Sequence, residues 1–300
     1  MEIRDITGFY LMDYSEIYDS FEDKELEKYA NRQKEKAALI TKNWSKEKKI
    51  EWNLRNYSAL KMILASTLML NSAVYAHDKN LNIVVPYLLY YSLFNTSKAL
   101  LLSDPTVPWN INRQQNLVTI AHSTSIKQVY ESVRHLSPKV SSKIKYVLEE
   151  SKGLRELFSY KFPSVGIDGI ENQRTMHSMN IYEIIDVCKL LAEIAQFNSE
   201  IMQLSADKNI KKSIDISIND LESGFVFKGL VRSDYYNEPD EVIDGYDFRR
   251  MKYFLSWNPT NIISTAKDGI LEDFFGSWYP ENLTDEDFNP DENWGILLPI

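Results

Sequence analysis

The chain has few of the residues that break or cross-link a fold. Its 300 residues include ten glycines, ten prolines and a single cysteine. So few glycines and prolines favour long regular elements over turn-rich β structure. The lone cysteine, Cys188, excludes an intramolecular disulfide and a zinc site built on cysteines, which suits the reducing cytoplasm. The N-terminus, MEIRDITGFYLMDYSE, has no basic stretch followed by an apolar one, so we expect no signal peptide.

What is present suffices for a packed core. Hydrophobic residues make up 44% of the chain, and its length fits one large domain or one domain with an appendage. The net charge of −9 is uneven: residues 23–61 contain eleven Lys or Arg and six Asp or Glu, whereas nine Asp or Glu and no Lys or Arg occur from residue 268 onward. An acidic protein needs a local basic patch to bind nucleic acid. Residues 23–61 are one candidate patch, and a merely solvated surface is the alternative.

Two segments are apolar enough to raise the question of a membrane, residues 60–76 and 83–102. The second contains Pro86 and Lys98, and a lysine near the centre of a membrane span costs about 2.5–3.5 kcal/mol. We therefore predict two helices buried in the core of a cytoplasmic protein, with no membrane contact.

Apolar periodicity predicts six helices, over residues 23–42, 45–76, 86–103, 125–136, 138–161 and from 181 onward. Ser45 and Asn180 are suited to be N-caps, and Pro86 and Pro138 suit the first turn of a helix. In the third helix, Tyr90 and Phe94 begin one apolar stripe and Leu93 lies on the adjacent one. This pattern predicts a helix that is in contact on most faces, even though Asn95 to Lys98 are polar.

The sequence changes character after Lys208. Residues 214–220 and 225–231 alternate or cluster as strands do, around Ser223 and Gly224, which predicts a hairpin. We therefore predict a mainly α protein with three parts. These are a charged N-terminal helical extension (1–44), a helical bundle (45–208), and a smaller C-terminal α+β appendage with an acidic tail (209–300).

A short motif suggests a family for the bundle. The stretches Tyr90-Tyr91-Ser92-Leu93-Phe94 and Lys98-Ala99-Leu100-Leu101-Leu102 are followed by His122 and then by Arg155 and Tyr160. This order, over about residues 45–205, resembles the HEPN superfamily of prokaryotic helical-bundle proteins, many of which carry a second-helix pattern like YYxxFxxAxALL. The resemblance implies a HEPN-like bundle, a homodimer, and a role in defence or in a toxin–antitoxin system.

In HEPN ribonucleases four to six residues separate an Arg from a following His, and RNA is cleaved without a metal. The His moves a proton during attack by the 2′-hydroxyl, and the Arg holds the phosphate. This chain departs from that motif. Tyr160 stands where the stretch starting at Arg155 would need His, and Gln115 stands where the stretch ending at His122 would need Arg. A phenol is almost entirely protonated at neutral pH and cannot act as the same base.

The resemblance still implies a set of site residues. The candidate catalytic residues are Arg155, Tyr160 and His122, and the candidate binding residues are polar residues of the two adjoining loops, Arg113, Asn116, Arg174 and His177. Each also has a structural explanation. Arg155 could pair with Glu149 or Glu150, His122 could satisfy loop backbone, Tyr160 could lie in a core or an interface, and the loop residues could be solvated.

Two functions follow from these observations. The missing His at position 160 favours a non-catalytic or degenerate-site dimer that binds RNA, a nucleotide or a protein partner from the same system. The alternative is an active metal-independent ribonuclease. No phosphate-cradling glycine-rich loop and no pair of metal-ligating histidines is present in the sequence, so we expect neither a cofactor nor a metal.

Overall fold

The computed structural model describes residues 2–108, 120–162, 164–166, 180–221, 243–280, 282, 284 and 287–298. Most of these residues are helical and none of them forms a β-strand. The α-helices are α1 (Ile3–Thr7), α2 (Ser15–Ser20), α3 (Asp23–Lys42), α4 (Lys46–Asp78), α5 (Val85–Ser103), α6 (His122–Arg134), α7 (Pro138–Glu156), α8 (Ile181–Asn209), α9 (Gly245–Met251), α10 (Ile262–Thr265) and α11 (Asp268–Gly276). A π-helical turn (Leu157–Lys161) extends α7, and 3₁₀ turns occupy Lys252–Phe254 and Trp294–Ile296.

The predicted helix starts are confirmed by their capping contacts. The Ser45 hydroxyl accepts a hydrogen bond from the backbone N–H of Lys48, and the Asn180 side chain accepts one from Tyr182. Each contact satisfies one of the N–H groups that the first turn of a helix leaves without a partner. The helix α6 begins at His122 rather than Ser125, because the Ser125 N–H already bonds to the Ala121 carbonyl. His122 is therefore the first residue of a helix and not part of a loop.

Helix α5 lies at the centre of the fold and packs against α4, α6, α7 and α8. The residues predicted to be buried, Leu93, Phe94, Leu100 and Leu101, are all at most 6% exposed. Its polar residues are accommodated by the backbone, since the Thr96 hydroxyl donates to the Ser92 carbonyl. The hydroxyl of Ser66, on α4, reaches the same carbonyl at 2.9 Å. Small polar residues therefore let α4 approach α5 closely.

The N-terminal helices pack on α8. The carboxylate of Glu193 accepts hydrogen bonds from the backbone N–H groups of Glu16 and Ile17, at the start of α2, and Tyr29 of α3 stacks on Phe197. One apolar core continues from Ile3 through α5 and α8 to Leu298. The boundaries predicted at residues 44 and 208 remain predictions, but side chains from all three segments share this core.

The predicted α+β character of the C-terminal segment is not found in its described residues. Residues 214–217 have no regular secondary structure and residues 218–221 are helical, so the first predicted strand is wrong. The physical reason is a capping box. The Asp220 carboxylate accepts from the Ser217 N–H and the Ser217 hydroxyl accepts from the Asp220 N–H, which starts a helical turn. The second predicted strand, 225–231, lies outside the described residues.

One helix of the described part of the chain, α4, is long and apolar enough to cross a membrane by length and composition. Its most apolar window is 56% buried inside the protein, where α4 packs against α5 and α8. That is the environment of a core helix, and α5, the other segment considered above, is not among the candidates.

Candidate functional site

Tyr90, a buried residue of α5, contacts two of the predicted site residues. Its hydroxyl shares a hydrogen bond of 2.6 Å with Nδ1 of His122, the first residue of α6. The guanidinium carbon of Arg155, near the end of α7, lies 5.3 Å from the centre of the Tyr90 ring. His122 and Arg155, which are 33 positions apart in the sequence, therefore both contact Tyr90 of the central helix.

Tyr160 completes an aromatic enclosure of Arg155. The π-helical turn that follows α7 places the Tyr160 ring 5.7 Å from the Arg155 guanidinium carbon, while leaving the ring 77% exposed. Phe162 ends this turn with a φ of 36°, a left-handed conformation that is unusual for a bulky residue. Single π-helical turns recur at functional sites. Here the turn places Tyr160 beside Arg155, and Arg155 and His122 both contact Tyr90.

Two further residues belong to the site, and sequence reasoning assigned neither of them a role there. The Phe94 ring lies 4.3 Å from the His122 ring, centre to centre, and the Lys98 ammonium lies 4.4 Å from the Phe94 ring centre. No carboxylate among the described residues pairs with Lys98. The sequence did contain a signal, because Tyr90, Phe94 and Lys98 follow one another at four-residue spacing along one face of α5.

The environment of the site disfavours positive charge on its titratable groups. Burial, followed by the charges of Arg155 and Lys98, lowers the pKa of His122 from its ordinary 6.5, so the imidazole is neutral at physiological pH. Burial also lowers the pKa of Lys98 to about 8. It raises the pKa of Tyr90 well above its ordinary value, which keeps the phenol protonated. Burial therefore disfavours charge of either sign on these three side chains.

Arg155 itself is incompletely paired. The residue is 8% exposed, and its buried Nε has no hydrogen-bond partner among the described residues. Its nearest carboxylate is that of Glu156, 3.6 Å from Nη2, and the same oxygen lies 3.5 Å from the Lys152 ammonium. Glu149, which the sequence offered as a partner, contacts Lys145 instead. Buried donors are nearly always satisfied, and this nitrogen is one of several buried side-chain atoms of the described residues that have no hydrogen-bond partner, the one among them that belongs to this cluster.

A cleft of about 730 Å³ lies beside α6. It is formed between α3, the C-terminal end of α5 and the face of α6 that contains Thr124, Lys127 and Glu131, which is opposite to the face of His122. Its lining combines apolar residues with Arg32, Lys127 and the buried carboxyl group of Asp104. Pockets that bind small molecules have volumes of about 300–1,000 Å³, which is the size range of this cleft.

Four predicted binding residues, Arg113, Asn116, Arg174 and His177, lie outside the described residues. The basic segment 23–61 is in part committed to internal contacts. Its cations that bond to other parts of the chain are Lys46, Lys49, Arg55 and Lys61, and Lys48 bonds to the Ile40 carbonyl within the segment. That segment therefore offers fewer free charges to RNA than its composition suggests.

The fold and the cluster define the chain as an α-helical bundle that carries a cationic, aromatic-lined site. No family model, no curated protein and no solved structure matches the chain. The HEPN assignment therefore rests on residues 90–102, His122, Arg155 and Tyr160, and it stays a prediction.

Proposed function

We propose that this chain is a HEPN-like helical-bundle protein that binds RNA or a nucleotide through phosphate and does not cleave it. The observation that carries this proposal is the meeting of Arg155 and His122 at Tyr90, with a buried guanidinium nitrogen left unpaired. The Arg155 guanidinium lies near the rings of Tyr90 and Tyr160, and the N–H fork of an arginine can hold a phosphate in bidentate fashion. Lys98 adds a second cation to the same cluster.

Several features favour binding over catalysis. Tyr160 replaces the histidine of the ribonuclease motif, and its exposed ring lies beside Arg155, where it can stack on a base. The remaining parts of the proposal come from the family resemblance. They are a cytoplasmic homodimer, a role in prokaryotic defence or a toxin–antitoxin system, and a protein partner from the same system. Light scattering tests the dimer, because one chain has a mass of 35.0 kDa.

RNA binding tests the proposal directly. We expect fluorescence anisotropy to show binding of a single-stranded RNA, with log affinity falling by about 0.7 per neutralised phosphate as log salt rises. Arg155→Gln should weaken binding by about tenfold or more, because it removes a charge-assisted hydrogen bond. Arg134→Gln is the matched control, since Arg134 is an exposed arginine paired with Glu131. Equal affinities of wild type and a folded Arg155→Gln variant would refute phosphate binding at this site.

A second candidate function is metal-independent ribonuclease activity, and the state of His122 favours it. A neutral imidazole can accept a proton, and the Tyr90 hydroxyl fixes which nitrogen does so. If Nδ1–H donates to Tyr90, then Nε2 is free to act as the base. If Tyr90 donates to Nδ1, then Nε2 carries the proton and can only donate to a ligand. The proposed binding function requires the second tautomer.

Cleavage assays in EDTA distinguish the two functions. The ribonuclease predicts cleavage that His122→Ala abolishes and that His77→Ala leaves intact, since His77 is exposed and bonds to Asn82. The binding function predicts no cleavage by any of the three proteins. Nitrogen-15 spectra of labelled histidine, assigned with the His122→Ala variant, would report the tautomer independently of activity.

A further inference from the structure

We infer that the site prefers a dianionic phosphate monoester, the terminal phosphate of a nucleotide or of a nucleic-acid end, over an internal phosphodiester. This inference rests on the proposed function, since it concerns the kind of phosphate that the same cluster binds. It follows from the charges that converge on Tyr90 and Phe94, and from the helix that begins at His122.

The charge balance of the cluster fits two negative charges. Three cations, Arg155, Lys98 and Lys152, belong to it, and the carboxylate within ion-pair distance of two of them is that of Glu156. His122 is neutral. Among the described residues, three positive charges and one negative charge leave two positive charges uncompensated. A phosphate monoester carries about 1.5–2 negative charges at pH 7, whereas an internal diester carries one.

The preference for a phosphate monoester is attributed to Lys98. Its ammonium lies against the Phe94 ring, in a partly buried position where no carboxylate of the described residues reaches it. Burying an unpaired charge is unfavourable, so the fold gains nothing in stability from this lysine. A ligand with a second negative charge would compensate it, and the lowered pKa of Lys98 agrees with its lacking an anionic partner.

The start of α6 adds backbone donors. Ala121 occupies the N-cap without a side-chain hydrogen bond, and the first turn contains no acidic residue. The N-terminus of a 13-residue helix attracts anions through its free N–H groups and its dipole. Tyr90 contacts both the His122 side chain at this end of α6 and the guanidinium of Arg155, whose buried Nε has no hydrogen-bond partner among the described residues. The helix end and the arginine are thus two separate features near Tyr90 that favour an anion.

Binding should also be coupled to proton uptake. Near pH 8 a fraction of the Lys98 side chains is neutral, and a dianion would favour their protonation. Calorimetry in two buffers of different ionisation enthalpy should therefore detect uptake of a fraction of a proton with 5′-AMP at pH 8. The Lys98→Met variant should show none.

The decisive comparison uses 5′-AMP and 3′,5′-cyclic AMP, which share base and ribose but carry a monoester and a diester. We expect the wild type to bind 5′-AMP at least about tenfold more tightly, and Lys98→Met to lose that preference. Lys98→Arg should retain it, and Lys145→Met, at an exposed lysine of α7, should leave it unchanged. Proper folding of each variant is checked by thermal unfolding.

These outcomes distinguish a failure of the monoester preference from a failure of the proposed phosphate binding. If the protein binds RNA but binds the two adenosine phosphates equally, the monoester preference is wrong and phosphate binding stands. A preference that survives in Lys98→Met also overturns the inference, because Lys98 would not be its source. If neither nucleotide nor RNA binds, the proposed function fails and the inference fails with it.

Discussion

Two buried arginines of this protein occupy opposite environments. Arg55, on α4, is fully buried and donates to the carbonyls of Leu101, Leu102 and Asp104 at the C-terminal end of α5, with Glu51 nearby. Arg155, on α7, lies near two tyrosine rings, and its buried Nε has no hydrogen-bond partner among the described residues. Both have a similar degree of burial, but one is saturated with acceptors and the other is not.

Arg55 thus has the contacts of a structural cation, whereas Arg155 has those expected of a cation that binds a ligand. The end of a helix leaves carbonyl groups without partners, and Arg55 satisfies them for α5. Arg155 and Lys98 satisfy nothing comparable, and each keeps a charge in an aromatic environment. Groups that lower the stability of a fold without an internal role are typical of functional sites, where activity and stability oppose each other.

The largest change in stability should follow from substitution of Arg55, the structural arginine of the two. Arg55→Met would leave several buried carbonyls and the Glu51 carboxylate without their cation, so we expect a loss of about 3–5 kcal/mol in the free energy of unfolding. Urea denaturation measures it. Arg155→Met should cost clearly less, since fewer acceptors lose a partner. Equal losses for the two variants would remove the distinction drawn between them.

The Lys98→Met substitution should change the free energy of unfolding in the opposite direction and stabilise the protein. Burial lowers the pKa of Lys98 from 10.5 to about 8, so the folded state disfavours the charged form. The resulting loss of free energy of unfolding has its full value below pH 8 and decreases to zero as the pH rises from about 8 to 10.5. We expect a gain of roughly 1–3 kcal/mol at pH 7, shrinking toward zero at high pH. Lys145→Met, at an exposed site, should change stability by less than about 0.5 kcal/mol.

A destabilised Lys98→Met variant would contradict this sign. Such a result would mean that the ammonium has a stabilising partner, and Lys98 would then resemble Arg55 rather than Arg155.

A smaller effect concerns the pKa of His122. Burial is the main cause of its lowered pKa, and the charges of Arg155 and Lys98 come next. Arg155→Met and Lys98→Met should each raise it toward 6.5, as measured from the pH dependence of the imidazole proton resonance. Arg134→Met is the control and should leave it unchanged. Because the pKa of His122 is lower in the folded protein than its ordinary value, folding favours the neutral imidazole. Its contribution to stability is therefore present above pH 6.5 and is lost on acidification.

Much of the helical framework could be predicted from the sequence because local signals determine it. The bounds of α3, the Ser45 cap and the buried stripe of α5 all follow from spacing and capping residues. The strand predicted at 214–220 failed because two signals competed there. Alternating isoleucines suggested a strand, whereas the Ser217–Asp220 capping box started a helical turn.

The site was less predictable, because it depends on contacts between distant parts of the chain. The family resemblance pointed to His122, Arg155 and Tyr160, but nothing in their spacing says that they meet at Tyr90. The sequence alone assigns Lys98 no role at the site, and the residue serves there as evidence against a membrane span and as part of the family motif. That no carboxylate of the described residues pairs with Lys98 is visible only once the neighbouring helices are in place.

The most direct test of the phosphate site is the imidazole proton resonance of His122 during titration with a 5′-phosphorylated single-stranded RNA. At about 50 mM salt we predict a saturable shift of His122, no shift of His77, and a much weaker response in Arg155→Gln. Phosphate bound at Arg155 and Lys98 must alter the field at the His122 imidazole, because Tyr90 contacts both Arg155 and His122, and Phe94 contacts both Lys98 and His122. If RNA binds while the His122 resonance stays unchanged, the phosphate site is elsewhere and the account is wrong.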